Sequence, residues 1–162
     1  MLKKILLAIV VLLVVIQFIK PKRNLSADHT HHISTKYVVP DNVNVLLQNA
    51  CADCHSNETS YPWYANVQPS AWFLAKHVNE GKEHFNLSEF SHQKIGDQLH
   101  QLEEMAEMVE KKEMPLKSYT YFGLHPEAKI TDAERQVLID WAHLQMEKIK
   151  AEYPADSLVR QR

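Results

Sequence analysis

Glycine is scarce in this sequence, with three residues in 162. So few leave no room for a glycine-rich nucleotide loop and argue against a turn-rich β-sandwich. Cysteine is scarcer still, and two residues cannot staple a disulfide scaffold. An excess of positive charge is also missing. Eighteen basic against twenty acidic residues leave a net charge of −2, which gives no nucleic-acid footprint. No close pair of carboxylates, nucleophile triad or phosphate loop points to a hydrolase or kinase. What is plentiful is apolar content, 45%, which excludes a wholly disordered chain, and histidine, ten residues, which directs attention to metal or cofactor chemistry.

The charge is unevenly spread. Residues 5–19 form an apolar run of 15, with Lys3 and Lys4 before it and Lys20, Lys22 and Arg23 after it; no acidic residue precedes Asp28. Without residues 1–23 the chain holds 13 basic against 20 acidic residues, a net charge of −7. A domain that acidic favours a basic partner surface over nucleic acid. As a helix the run covers about 22 Å, short of a hydrocarbon core of about 30 Å, though Leu2 and snorkelling lysines extend it. Its length suits a signal peptide, yet Leu25-Ser26-Ala27 is a poor cleavage site. Residues 1–23 are therefore expected to be a signal anchor in preference to a cleaved signal peptide.

Residues 24–40 lack periodicity and read as a polar tether, with His29, His31 and His32 solvated. Beyond Pro40 the pattern turns helical. Asp41 is a plausible cap for a helix bearing Val43, Leu46, Leu47 and Ala50 on one face. A second helix begins near Pro69, carries Trp72, Phe73 and Val78, and is expected to stop at Gly81. Ile95, Leu99, Leu102, Ala106 and Val109 form one stripe on a third, which ends before Met114-Pro115. The last opens on a capping box, Thr131 to Glu134, and runs through Leu138, Trp141, Ala142 and Ile149. The expectation is a mainly α domain over residues 41–150, with a polar tail over 151–162.

The chemistry lies in Cys51-Ala52-Asp53-Cys54-His55. In c-type haem attachment two thiols add to the vinyl groups of one porphyrin edge, and the next residue turns its imidazole under the iron. The context agrees: an export signal, two cysteines in all, and a helix leading into the motif. Three other readings compete. A thioredoxin-like pair would sit beside a βαβ pattern, which is absent. A zinc site, as in a zinc-stabilised interaction module, needs two further paired ligands. A structural disulfide would leave His55 unexplained.

The order helix, C-x-x-C-H, Met-Pro and amphipathic C-terminal helix is similar to small monohaem cytochromes c. More closely, the chain resembles the bacterial haem-binding domain family of exported C-x-x-C-H proteins. The matching stretches are N-A-C-A-D-C-H-S-N-E-T-S-Y-P-W-Y, P-S-A-W, H-V-N-E-G-K-E-H-F-N-L-S-E-F, M-P-L-K-S-Y, L-H-P-E-A-K-I-T and E-R-Q-V-L-I-D-W-A, spread over residues 38–145. The resemblance implies one covalent haem c on Cys51 and Cys54, His55 as proximal iron ligand, and a cytochrome-c-like helical fold. It implies no particular reaction.

For the sixth ligand Met114 is preferred. It follows a helix, precedes Pro115, and sits where the backbone can present a thioether; Met/His ligation gives the raised potential of an electron carrier. An ordinary core methionine is its bland reading. His77 is the alternative, or else a partner for a haem propionate. Met105 and Met108 are expected to pack. Trp63, Tyr64, Trp72 and Trp141 are expected to line an apolar pocket, and His84, His92, His100, His125 and His143 to be solvated or to lie outside the ligand set.

Covalent attachment outside the cytoplasm, which the resemblance implies, requires residues 24–162 to be exported, with the anchor in the bacterial inner membrane and the domain on the periplasmic side. Two functions follow. One is a tethered electron carrier, not an enzyme, that docks on basic surfaces of redox proteins. The other is a haem sensor or small catalytic module with an open sixth position.

Overall fold

The computed structural model describes residues 1–160; the last two residues of the expected polar tail lie outside them. Six α-helices follow in order: α1 (Leu2–Ile16), α2 (Asp41–Ala50), α3 (Ala52–His55), α4 (Ser70–His84), α5 (Ile95–Glu110) and α6 (Asp132–Glu152). Short 3₁₀ turns join them. Among the described residues there is no strand, only an isolated bridge between Leu25 and Glu58. The mainly α expectation holds.

The core forms where the apolar stripes meet. Val43, Leu46, Leu47 and Ala50 are the buried face of α2, as their spacing requires. Leu102, Ala106 and Val109 of α5 pack against Leu138, Trp141, Ala142 and Ile149 of α6, the most extensive helix pair in the molecule. Thr131 and Glu134 complete the capping box: the Thr131 hydroxyl accepts from Glu134 N at 3.2 Å, and the carboxylate accepts from Thr131 N at 2.7 Å. Met105 is buried and Met108 half-buried in α5, both packing residues as expected.

Three expectations are corrected. The segment 24–40 is no tether. Ile33 is fully buried and Tyr37 nearly so; Ser26 N donates to Asn57 O, Thr59 N to Asn24 O, and Ile33 N to Leu87 O at 2.8 Å. Two isolated apolar anchors in a polar stretch make no periodic signal, yet burying them offsets the ordering of the chain. The tail is likewise placed: Leu158 packs on the core and Arg160 pairs with Asp97 at 3.4 Å. Finally, α4 does not stop at Gly81 but continues to His84.

The N-terminal run does form a helix, α1, with none of its residues buried. It meets the domain at its end, where Gln68 N donates to Gln17 Oε1 at 2.9 Å and Trp72 Nε1 to Ile19 O at 2.9 Å. Among the described residues no helix is long and apolar enough to cross a membrane, so the expected single-pass anchor has no spanning helix to rest on.

Candidate functional site

Helix α2 ends on Cys51, and α3 is a single turn that carries Cys54 and His55. His55 N and Cys54 N both donate to Cys51 O, at 2.9 and 3.2 Å, so the motif closes into one tight loop. Both cysteines are free thiols. Burial pushes the Cys51 thiol up to about 12 and the Cys54 thiol up to about 11, with the neighbouring Cys54 and Asp53 respectively adding to the effect. They are therefore neutral S–H groups, the form that adds across a vinyl double bond without stranding a buried charge.

His55 is oriented from the far end of α4. Its Nδ1 lies 2.9 Å from Phe85 O, which fixes Nδ1 as the protonated nitrogen and leaves Nε2 with its lone pair. Burial lowers its pKa, opposed by the carbonyls of Phe85 and Gly81, so the ring is neutral. Leu87 N donates back to His55 O at 2.7 Å, and the Phe85 ring packs on the imidazole at 5.8 Å. A neutral imidazole with one nitrogen tied to a backbone carbonyl is what an iron ligand needs.

Gly81 makes this possible, and it was read only as a helix stop. A Cβ at Gly81 would fall 2.5 Å from Cys54 O. The backbone of α4 thus lies directly against the motif, closer than any side chain permits.

A polar cluster adjoins the motif on its other side. The Tyr119 hydroxyl donates to Asp53 Oδ2 at 2.5 Å, and Ser60 N donates to Asp53 Oδ1 at 2.9 Å. The Tyr119 ring stacks on His125 at 3.9 Å and 12°. His125 is buried, between Tyr64 Oη at 2.7 Å from Nε2 and Glu127 Oε1 at 3.2 Å from Nδ1. Burial chiefly raises the pKa of both Tyr119 and Tyr64, and the Asp53 carboxylate raises it further, so both hydroxyls stay protonated. Tyr119, His125 and Glu127 were not expected here. Only their place inside M-P-L-K-S-Y and L-H-P-E-A-K-I-T marked them.

The remaining candidates lie on other segments. Met114 is half-buried against the core; its carbonyl accepts from Arg135 Nη1 at 2.7 Å. His77 lies mid-α4, with Nδ1 engaged by Phe73 O at 2.9 Å and its ring on Phe73. Tyr64 belongs to the cluster, and Trp63 beside it is 74% exposed. Trp72 turns its indole N–H to Ile19 O instead. Trp141 is a correction: it is buried in the main core and donates to Val38 O at 3.0 Å, because its place on the α6 stripe faces α2 and α5. Phe73 presents apolar surface on α4, which packs on α3, Trp63 on a turn that packs on α4, and Tyr121 and Phe122 on the segment that carries Tyr119. Phe122 is almost fully exposed with φ of 56°.

This donor set fits haem: two neutral thiols at C-x-x-C spacing, a neutral imidazole with a free Nε2, and aromatic surface nearby. It does not fit zinc. Among the described residues no three His, Cys, Asp or Glu side chains converge so as to hold a metal ion.

A family model for a haem-binding domain matches residues 11–144. The chain belongs to the haem-binding domain family. That match covers the motif, the α4 backbone seated on it, and the Met114 and Tyr119 segment. Neither a curated protein nor a solved structure matches the chain.

Proposed function

We propose that this haem-binding protein is an exported monohaem electron carrier of the c type, with one haem bonded covalently to Cys51 and Cys54. His55 Nε2 and Met114 Sδ would hold the iron. Haem, when bound, supplies a one-electron Fe(II)/Fe(III) couple. The chain's own part is to hold and insulate it. The neutral thiols would bond the porphyrin edge, Phe85 O keeps the imidazole in a single tautomer, and the exposed aromatics of the neighbouring segments would supply apolar surface for the ring.

The observation that carries this reading is the junction of Cys51, Cys54 and a His55 whose Nδ1 is already engaged. Covalent attachment of this kind implies export of residues 24–162, with residues 1–23 as the export signal and α1 as its apolar segment. The acidic domain then meets basic redox partners outside the cytoplasm. His77 is the less favoured ligand, because its ring is packed on Phe73 at 4.2 Å within its own helix.

The test is the absorption spectrum of full-length protein matured with haem. A low-spin spectrum with a Met-to-Fe(III) charge-transfer band in the far red is expected, and Met114→Ala should abolish that band. Rapid carbon monoxide binding to the reduced parent protein would instead favour a sensor or catalytic module with an exchangeable sixth position.

A further inference from the structure

Asp53 stands between the two cysteines, and its side chain is committed in full. Oδ1 accepts from Ser60 N at 2.9 Å and Oδ2 accepts from the Tyr119 hydroxyl at 2.5 Å, while its carbonyl accepts from Thr59 Oγ1 at 2.7 Å. A buried-side phenol on a carboxylate is a charge-assisted bond, stronger than a neutral one. Tyr119 is held on its face as well, stacked on a His125 that Tyr64 and Glu127 grip at its two nitrogens.

Tyr119 lies five residues beyond Met114. Pro115 fixes one backbone angle between them, and Tyr119 N donates to Leu116 O at 3.0 Å, closing a turn. The Met114 end is pinned separately. Arg135 Nη1 donates to Met114 O at 2.7 Å and to Val109 O at 3.1 Å, and Met114 N donates to Met108 O at 3.1 Å. The segment 114–119 is thus fastened at one end to the α5–α6 core and at the other to the haem-attachment motif itself.

We propose that Asp53 and Tyr119 are positioning residues for Met114: the bond between them ties the Met114 segment to the C-x-x-C-H loop that would hold the haem. The proposal rests on Met114 ligation. It explains an acidic residue at this place in the motif and the tyrosine that closes M-P-L-K-S-Y. The bond acts through backbone position, and neither residue touches the iron.

The experiment compares full-length parent, Tyr119→Phe, Asp53→Ala, Asp53→Asn and Met114→Ala proteins, each matured with haem and each also prepared haem-free. Haem retained on denaturing gels shows that attachment survives, and a parent-like cooperative melting transition shows that the fold does. Tyr119→Phe and Asp53→Ala should weaken the far-red band and speed carbon monoxide binding to the reduced protein about tenfold, the factor for losing a hydrogen bond to a charged group. Asp53→Asn, whose amide oxygen can accept from Ser60 N while its N–H donates to the phenol oxygen, keeps a neutral bond to Tyr119 and should recover part of the parent behaviour. An Asp53→Ala/Tyr119→Phe double variant should be no worse than the more impaired of the two single ones. In haem-free protein, Tyr119→Phe should speed tryptic cleavage after the exposed Lys117 by a similar factor. Parent-like carbon monoxide rates and cleavage in Tyr119→Phe, with Met114→Ala still fast, would overturn the proposal while leaving Met114 as ligand. A Met114→Ala protein that keeps its band and its slow carbon monoxide binding would overturn the ligand assignment and the proposal with it.

Discussion

Two half-buried thiols three residues apart are costly to ionise, and the haem-free protein should show that cost as pH rises. In an unfolded chain they titrate near 9.0, whereas in the fold Cys51 holds its proton to about 12 and Cys54 to about 11. Between those values the folded state binds more protons than the unfolded one. Their contribution is therefore complete below pH 9 and is lost as pH climbs towards 11 and 12. Tyr37 and Tyr119, also shifted upward by burial, act in the same direction. The thiol share is isolated by comparison. Haem-free parent protein should lose melting temperature between pH 8 and pH 10.5, and Cys51→Ser/Cys54→Ser protein should lose less. The same double variant, matured in cells, should carry no haem through a denaturing gel. Equal losses in both proteins would mean that the thiols are far more exposed than the closed loop of α3 implies.

At the level of elements, α2, α5 and α6 are legible because each buries a continuous stripe. The Val43–Ala50 face, the Ile95–Val109 stripe and the Thr131 capping box all rest on spacing alone, and spacing is a local property of the chain. The C-x-x-C-H loop is legible for the same reason. What spacing cannot convey is which element lies against which. Gly81 reads as a stop when only its own helix is considered; its reason is Cys54, 27 residues away. His125, Tyr119 and Asp53 meet across 66 and 72 positions with no shared period, and Ile33 is buried in a stretch of polar residues. Gly81→Ala separates the two readings. On helix propensity alone, alanine stabilises by up to about 1 kcal/mol. Seated 2.5 Å from the Cys54 carbonyl, its methyl must instead push α4 off α3, an overpacking that costs about 1–3 kcal/mol. A fall in melting temperature of about 5 °C and a reduced yield of attached haem are expected. A higher melting temperature would mean that α4 does not rest on the motif.

Over the whole molecule the charge divides into a basic N-terminal end and an acidic domain. The five basic residues within 1–23 leave 13 basic against 20 acidic residues beyond them. Part of that acidity has a direction. Glu103, Glu107, Glu110 and Glu113 are exposed along the second half of α5 and the turn that follows, and the chain passes straight from them into Met114. An electron carrier needs its partner close to the haem for only a short time, and long-range attraction supplies that without a large apolar interface. The proposed carrier should therefore exchange electrons with a small basic redox protein at a rate that falls about tenfold between about 10 mM and 200 mM salt, as screening shortens from about 30 Å to under 10 Å. Stopped-flow mixing of full-length, haem-matured protein measures it. Glu110→Lys/Glu113→Lys should lower the low-salt rate and flatten the dependence, because it places positive charge beside the Met114 segment without touching the motif. An acidic partner should give the opposite slope. Rates indifferent to salt with both partners would remove the docking role from this acidic face, and would leave α1 and the exposed aromatics around Phe122 as the surfaces through which the domain meets other molecules.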